Sequence, residues 1–596
     1  MTAPMTLPGR LVQRMERSPK AVAIREKKQG VWKETTWTEY YEIVSVMALA
    51  LKNLGIEKDD HVAILSDNCP EWIIADLATQ ALGARSVGIY PTNPPEDVAY
   101  ILNHAECKVI FCEDQEQVDK AVLVGKETPT VKHVVVIDPR GTRSIQDDRF
   151  QKWSELEKKG RELYQSDFLK NQAEKLDPDA CSMVVYTSGT TGQPKGAMLS
   201  GRSALWGADW LNNEMGIGPH DQLLSYLPLC HVAEKIFSLY LPLTSGAVVH
   251  FGESINTVQE DLRDVSPTIF LGVPRIWEKI HSNVTLKMKD SSWLKRTLFN
   301  WAVEKGKKWS VDHYKKTLGE KIQYFFCDQL VYRALQERLG LRRCYYPVSG
   351  AAPIGKEQLV WFRAIGLKIL EGYGMTENGG LSHVSLNTKF KLGTVGTRLS
   401  ESECHIAEDG EILIRSPRVF LGYLHNPEAT KETVDEEGWL HTGDIGEVDN
   451  EGFLKITGRK KEIIITSGGK NLSPEKIENA LKLSPYIKEA VAIGDGRKYI
   501  SSLIQIDGDA VGDWATRKKM PYTDFADLCS KEEVQTLIQK EIHMANDHLA
   551  QVEQVRTYRL IPKELHQDDG ELTATQKVRR RAIIKIWANL IEELYK

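Results

Sequence analysis

The run Tyr186-Thr187-Ser188-Gly189-Thr190-Thr191-Gly192-Gln193-Pro194-Lys195-Gly196 follows a short apolar segment, Met183-Val184-Val185. The apolar segment reads as a buried strand. The eleven residues after it hold four small hydroxyl residues, three glycines and one lysine. Glycine tolerates the positive φ angles that a concave ring of backbone N–H groups needs, so such a loop can fold around an anion. The hydroxyls add donors and Lys195 adds a point charge. The combination predicts a polyphosphate guest, with an ordinary Gly/Ser-rich surface turn as the plain alternative. The common P-loop spacing is absent, because Lys195 follows Pro194 and precedes Gly196.

Working toward the N-terminus, His61–Leu65, Ser86–Tyr90, Lys108–Cys112 and His133–Ile137 are short apolar runs that read as strands. Pro70-Glu71-Trp72 opens a helix to about Leu82, and Pro95-Glu96-Asp97 opens another to about His104. Each has proline near its first position and an acid in its first turn. The alternation predicts an α/β chain built on a largely parallel, helix-covered sheet. No GxGxxG follows the first strand, which argues against nicotinamide chemistry. Residues 139–180 are polar and charged and are expected to form a surface excursion.

The 596 residues amount to about three to six domains' worth of chain. A hydrophobic fraction of 41% and a charged fraction of 27% suit a globular protein with ample core. A net charge of −5 gives no reason to expect a nucleic-acid partner. The nine cysteines are scattered without a CxxC pair, which argues against zinc ribbons and suits a reducing, cytoplasmic compartment. The start of the chain lacks a basic stretch followed by an apolar core, and no apolar run is long enough to span a bilayer.

Downstream of the loop, Leu227-Pro228-Leu229-Cys230-His231-Val232-Ala233-Glu234-Lys235 sets one histidine in an apolar turn. On its own His231 reads as a satisfied core histidine. Gly272-Val273-Pro274-Arg275-Ile276-Trp277 carries a glycine that can be a backbone-packing device. Val348-Ser349-Gly350-Ala351-Ala352-Pro353 follows an expected strand, and its small residues let a flat ring approach the backbone. Then come Glu371-Gly372-Tyr373-Gly374-Met375-Thr376-Glu377, Gly438-Trp439-Leu440-His441-Thr442-Gly443-Asp444 and Ile456-Thr457-Gly458-Arg459-Lys460-Lys461. Ser467-Gly468-Gly469-Lys470 precedes a helix opened by Pro474-Glu475. Gly570-Glu571-Leu572-Thr573-Ala574-Thr575-Gln576-Lys577-Val578-Arg579-Arg580-Arg581 ends the series, and by itself Lys577 is one solvated cation in a basic run.

The loop and these motifs, in this order from about residue 10 to Lys577, resemble the AMP-forming adenylating enzymes: acyl-CoA synthetases, luciferases and peptide-synthetase adenylation domains. The wording around His231, Arg275 and Arg459 is most similar to long-chain fatty acyl-CoA synthetases of the bubblegum type. The resemblance implies a large N-terminal domain of helix-covered mixed sheets, residues 1–457, and a small mobile α+β C-terminal domain, residues 458–596. It implies that Thr187, Ser188, Gly189, Thr190, Thr191, Gly192 and Lys195 hold the ATP phosphates. Ser349, Gly350, Ala351 and Ala352 would lie against adenine, with Glu371, Gly372, Tyr373, Gly374, Met375 and Thr376 completing the nucleotide pocket. Tyr373 would stack on the ring and Thr376 would donate to the α-phosphate. Glu377, with Thr187, would hold Mg²⁺. Asp444 and Arg459 would take the ribose, since a carboxylate can accept from both hydroxyls.

In the same reading Gly458 is the hinge and Lys577 the catalytic lysine. His231 would sit beside the substrate carboxylate, and Gly272 would leave room for an alkyl chain. Gly468 and Gly469 would approach CoA. The implied reaction is fatty acid–CoA ligation through an acyl-adenylate. Activation of an aryl or medium-chain acid, or transfer of the acyl group to a carrier protein, stays open. A peptide-synthetase domain would need a carrier, and only nineteen residues follow Lys577.

Thr285–Glu320 carries nine basic and four acidic residues, with Trp293, Leu294, Leu298, Trp301 and Trp309 at roughly helical spacing among them. Such a segment is expected to make peripheral contact with an anionic membrane surface. The alternative is that the tryptophans pack inward and the lysines form a solvated face.

Overall fold

Strands His61–Leu65, Arg85–Ile89, Cys107–Cys112 and His133–Val136 run parallel and side by side in a computed structural model that describes residues 5–187, 193–254, 257–311, 314–567, 569–573 and 577–596. Nearly all their residues are buried. Both faces of the sheet are covered, so the strands read as unbroken apolar runs instead of alternating. Helices Pro70–Ala81 and Pro95–His104 start at proline, whose missing N–H costs nothing where no intrahelical acceptor exists.

The sheet has eight strands. Phe150–Lys152 forms one edge, and the hairpin Cys181–Thr187/Lys195–Ser200 continues the other side out to Gly422–Tyr423. The hairpin is antiparallel, with Thr187 opposite Lys195.

Residues 139–180 are more than a surface excursion. They supply the edge strand Phe150–Lys152 and the helices Trp153–Glu162 and Phe168–Ala173, which bury Trp153, Leu156, Phe168 and Leu169. A helix needs only one apolar stripe to dock, so a low overall apolar content hides it. Gly160 permits the close approach: a Cβ there would lie 2.2 Å from the carbonyl oxygen of Val46.

A second sheet joins Ile269–Gly272, Tyr346–Ser349 and Leu370–Tyr373 in parallel and adds His383–Val384 and Thr397–Arg398 antiparallel. Its register sets Gly272 beside Ser349 and Ser349 beside Glu371, in one transverse row. A third sheet pairs Val22–Lys28 with Val248–Phe251. An antiparallel meander runs through Glu403–Ile406, Glu411–Arg415, Leu440–Val448 and Leu454–Arg459. The smaller C-terminal domain packs helices Pro474–Leu481, Gly508–Arg517 and Glu532–Asn546 on the strands Ile487–Ile493, Ile500–Ile506 and Val555–Leu560, around its own core of Ile477, Ile504, Val511 and Ile538. All nine cysteines are free thiols.

Between the second sheet's first two strands lie helices Pro274–Lys289, Trp293–Trp309 and Leu318–Cys327, the π-turn Asp328–Tyr332 and helix Arg333–Arg338. The five apolar residues read as a stripe do not share one face. Trp309 is buried against Tyr324, whereas Trp293, Leu294 and Trp301 are exposed. The docking face is Phe299, Ala302, Val303, Gly306 and Trp309, at the helical repeat. At Gly306 a Cβ would meet the carbonyl oxygen of Ala364 at 2.0 Å. No helix among the described residues is long and apolar enough to cross a membrane.

Candidate active site

Two clusters of polar side chains hold themselves together in the cleft below the small domain. The first starts at the hairpin. Ser188, Gly189, Thr190, Thr191 and Gly192 lie outside the described residues. At its base the Thr187 hydroxyl donates to the Lys195 carbonyl oxygen at 3.4 Å, and the Tyr186 hydroxyl meets His104 Nδ1 at 2.8 Å. Lys195 Nζ sits 5.0 Å from the centre of the Tyr423 ring, and the Tyr423 hydroxyl donates to Glu377 Oε1 at 2.6 Å. Glu377 is only 6% exposed. Tyr423 thus links the hairpin lysine to the buried carboxylate, and no sequence motif had singled it out. The only signal was a tyrosine in the apolar run Val419–Leu424, whose hydroxyl needs a partner when buried.

The second cluster joins Tyr373, Asp444 and Arg459. The Tyr373 hydroxyl donates to Asp444 Oδ2 at 2.7 Å, and Arg459 Nε lies 3.1 Å from Asp444 Oδ1. Asp444 and Arg459 are cross-strand partners in the meander, so the pairing is fixed by register. Burial pushes the Asp444 carboxyl up, against the pull of Arg459.

Beside them runs the row of Gly272, Ser349 and Glu371. Ser349 Oγ and Glu371 Oε1 are buried and without a hydrogen-bond partner among the described residues. Burial alone pushes the Glu371 carboxyl up to about 8, so it is neutral near pH 7. Gly350 and Gly372 face each other closely, since a Cβ on Gly350 would stand 3.3 Å from the Gly372 carbonyl oxygen. At Gly374 a Cβ would come within 2.3 Å of the Gly380 carbonyl oxygen, so only glycine fits. The Met375 N–H donates to Asn378 Oδ1 at 3.0 Å, and Thr376 is buried at the start of a 3₁₀ turn.

The expectation of open space at Gly272 needs correction. The indole of Trp277, wholly buried, fills it: a Cβ on Gly272 would lie 2.6 Å from that ring, and Trp277 Nε1 donates to the Gly272 carbonyl oxygen at 2.8 Å. In this conformation Gly272 packs against a side chain.

His231 caps helix Val232–Lys235, and its Nδ1 accepts the Ala233 N–H at 3.2 Å, which assigns the proton to Nε2. Burial, reinforced by the charge of Lys577, lowers its pKa to about 4, so the ring is neutral. Lys577 reaches across from the small domain and donates to the Ala351 carbonyl oxygen at 2.6 Å. Ala351 takes φ +65°, and Ala352 beside it is exposed. Lys577 is exposed by area, yet the protein packed around it displaces enough water to lower its pKa, with Arg459 adding to the effect.

The small domain is further tied down by Arg275–Glu489 at 2.8 Å, Lys482–Glu278 at 3.5 Å and Gln567 Nε2 donating to the Thr92 carbonyl oxygen at 2.8 Å. Gly458 lies on the strand Leu454–Arg459, opposite Ile445. Gly468 and Gly469 stand apart from the cleft residues, on an exposed turn closed by the Gly469 N–H to the Thr466 carbonyl oxygen at 2.8 Å.

Residues 11–424 match the family described as AMP-binding enzyme, and residues 461–596 match the AMP-binding enzyme C-terminal domain. Long-chain-fatty-acid–CoA ligase FadD15 of Mycobacterium tuberculosis is 33% identical over 95% of this chain and 93% of its own length. Long-chain-fatty-acid–CoA ligase ACSBG2 of Gallus gallus is 31% identical over 96% of this chain and 79% of its own. Among solved structures, the A domain of a carboxylic acid reductase from Segniliparus rugosus, in complex with AMP and a co-purified carboxylic acid, shares the fold at a TM-score of 0.77 and 21% identity, covering 99% of this chain and 94% of that one.

Proposed function

The chain belongs to the AMP-binding enzyme family, and from that premise we propose that it is an AMP-forming long-chain fatty acid–CoA ligase. The relatives with that activity in their names align along nearly the whole chain. The observation that carries the reading is Lys577 resting on the Ala351 loop, in one cleft with the Tyr373–Asp444–Arg459 and Lys195–Tyr423–Glu377 clusters.

In the first half-reaction a carboxylate oxygen of the fatty acid attacks the α-phosphorus of ATP. The bond to the β-phosphate breaks and diphosphate leaves with the electron pair, giving an acyl-adenylate and diphosphate. Asp444 accepts from the ribose hydroxyls with Arg459 beside it, and the Ser349–Ala352 loop and the Tyr373 ring flank adenine. The neutral His231, with Nε2–H outward, orients the attacking carboxylate. Negative charge builds on the phosphate oxygens, where Lys577, Thr376, Lys195 and the loop that Thr187 and Lys195 bracket stabilise it. Mg²⁺, when bound, would neutralise phosphate charge, held by Glu377 and Thr187. No group of three or more metal-ligating side chains exists among the described residues. That suits Mg²⁺ bound through one or two carboxylates, waters and substrate phosphates.

In the second half-reaction the CoA sulfur attacks the acyl carbonyl carbon and AMP leaves. The swivel that withdraws Lys577 divides the chain at Gly458, into 1–457 and 458–596, and brings Gly468 and Gly469 toward CoA. The two family matches leave only residues 425–460 between them, a stretch that includes this hinge. The segment 285–320 makes peripheral membrane contact, supported by exposed Trp293, Leu294 and Trp301 among its cations. Diphosphate release and acyl-CoA formation across a ladder of fatty acids test the reading. Long chains should give the highest kcat/KM, and release with aryl acids only, or no thioester with CoA, would overturn it.

A further inference from the structure

Helices Val258–Val265, Pro274–Lys289, Trp293–Trp309 and Arg333–Arg338, with the π-turn Asp328–Tyr332, enclose a cavity of ≈ 470 Å³. That lies inside the roughly 300–1,000 Å³ of small-molecule sites. Its walls are mostly apolar, from Leu262, Val284, Leu298, Val331 and Leu335, with Gln259 and Asn283 among them. Its rim carries Arg263, Lys287, Lys295 and Arg338, one from each of the four helices and all exposed. None of the four forms an ion pair with a carboxylate among the described residues. Arg263 only donates from Nε to the Arg338 carbonyl oxygen at 3.0 Å. Of the other cations on these helices, Arg275, Lys307, Lys308 and Arg333 pair with Glu489, Glu304, Glu320 and Glu337, whereas Lys279, Lys289, Arg296 and Lys305 form no ion pair with a carboxylate among the described residues.

An apolar trough whose mouth is ringed by unmatched cations complements one kind of molecule, an alkyl chain with an anionic head. The chain leaves water against the walls while the head stays hydrated between the cations. The trough shares no residue with the cleft. Trp277, which packs on Gly272, is buried where helix Pro274–Lys289 begins and does not line the trough.

We propose that this trough is a second fatty-acid site, holding a free long-chain carboxylate apart from the place where it is adenylated. The choice of a fatty acid as the amphiphile rests on the ligase reading; the trough and its cations do not.

The test is equilibrium dialysis of the full chain against radiolabelled palmitate, with the cleft blocked by a non-hydrolysable acyl-sulfamoyl adenosine. The blocked protein should bind one further equivalent, saturably. Ala334→Trp, which fills the trough, should remove that binding. Lys287→Glu with Lys295→Glu should weaken it by about tenfold or more, a loss of the size expected when two attractions become repulsions. If Ala334→Trp does not fold, Ala334→Leu and the charge pair carry the test. No saturable binding to the blocked protein, or equal binding by parent and variants, overturns the proposal. So does capture by anionic phospholipid vesicles that these variants abolish while palmitate itself does not bind, since the occupant is then a bilayer lipid. Failure of the ligase reading is separate: the adenosine mimic would not bind, and palmitate binding that Ala334→Trp removes would still identify the trough.

Discussion

The cleft and the inserted helices carry similar residue types in opposite states. In the cleft, Tyr373, Asp444 and Arg459 hold one another, as do Lys195, Tyr423 and Glu377. On the inserted helices, Trp293, Leu294, Phe325 and Phe326 face solvent, and Lys287 and Lys295 have no carboxylate partner among the described residues. Side chains already locked by neighbours lose little freedom when a ligand arrives. Side chains facing water complete their interactions only against something from outside. Substitutions in the first region should therefore change catalytic constants, and substitutions in the second should change where the protein and its substrate reside.

The sharpest test of the cleft is Lys577→Ala. Diphosphate release should fall by about 10²–10³, the usual loss for one preorganised transition-state donor. Thioester formation from presynthesised acyl-adenylate should continue at the parental rate, and equal loss in both steps would contradict a lysine used in one step only. Asp444→Ala should come next, raising the KM for ATP roughly 10–100-fold through lost charged hydrogen bonds and leaving the KM for the acid alone. Tyr423→Phe keeps Glu377 but frees it. A drop of about fivefold in adenylation, with more Mg²⁺ needed for half-maximal rate, is the expected result. A parental Mg²⁺ dependence would mean that the tyrosine does not position the carboxylate.

Glu371→Gln addresses stability. The native carboxyl titrates near 8 against an ordinary value of 4.5, so the native state holds the proton more tightly than the unfolded chain. Its contribution is fully present below pH 4.5 and is lost as pH rises to about 8. The variant should match the parent's Tm near pH 5 and exceed it by a few degrees near pH 8, and parallel Tm curves would reject the assignment. The smallest effect on catalysis belongs to the inserted helices. Changing Lys305, Lys307 and Lys308 to Glu should leave turnover on a soluble, shorter acid unchanged while releasing the protein from anionic vesicles. Vesicle binding that persists, or that the parent lacks, would break the contrast drawn above.

Much of this was legible before folding. The central strands were readable because burial on both faces makes them unbroken apolar runs, and their helices because Pro70 and Pro95 mark first turns. The glycine and hydroxyl content of residues 187–196 gives the expectation of an anion loop, and residues 188–192 of it lie outside the described residues. Tyr423 was not legible, because only pairing of a two-residue strand with Lys195–Ser200 carries it to a glutamate 46 positions away. Nor was Trp277 filling the space at Gly272, which depends on a side-chain rotamer that spacing does not encode. Trp309 was misread for a related reason. Helical spacing identifies a face, but the partner surface that selects among faces, here the Lys356–Ala364 helix, lies elsewhere in the chain.

The transverse row of Gly272, Ser349 and Glu371 constrains how such a protein can diversify. Each strand is held between neighbours, and a slip of one residue would turn every side chain to the opposite face. Insertions and deletions inside these strands are therefore closed routes, because each would move one member of the row out of register with the other two. Lineages built on this frame should vary by exchanging residues at fixed addresses and by lengthening the connections, as the helices between Gly272 and Tyr346 illustrate.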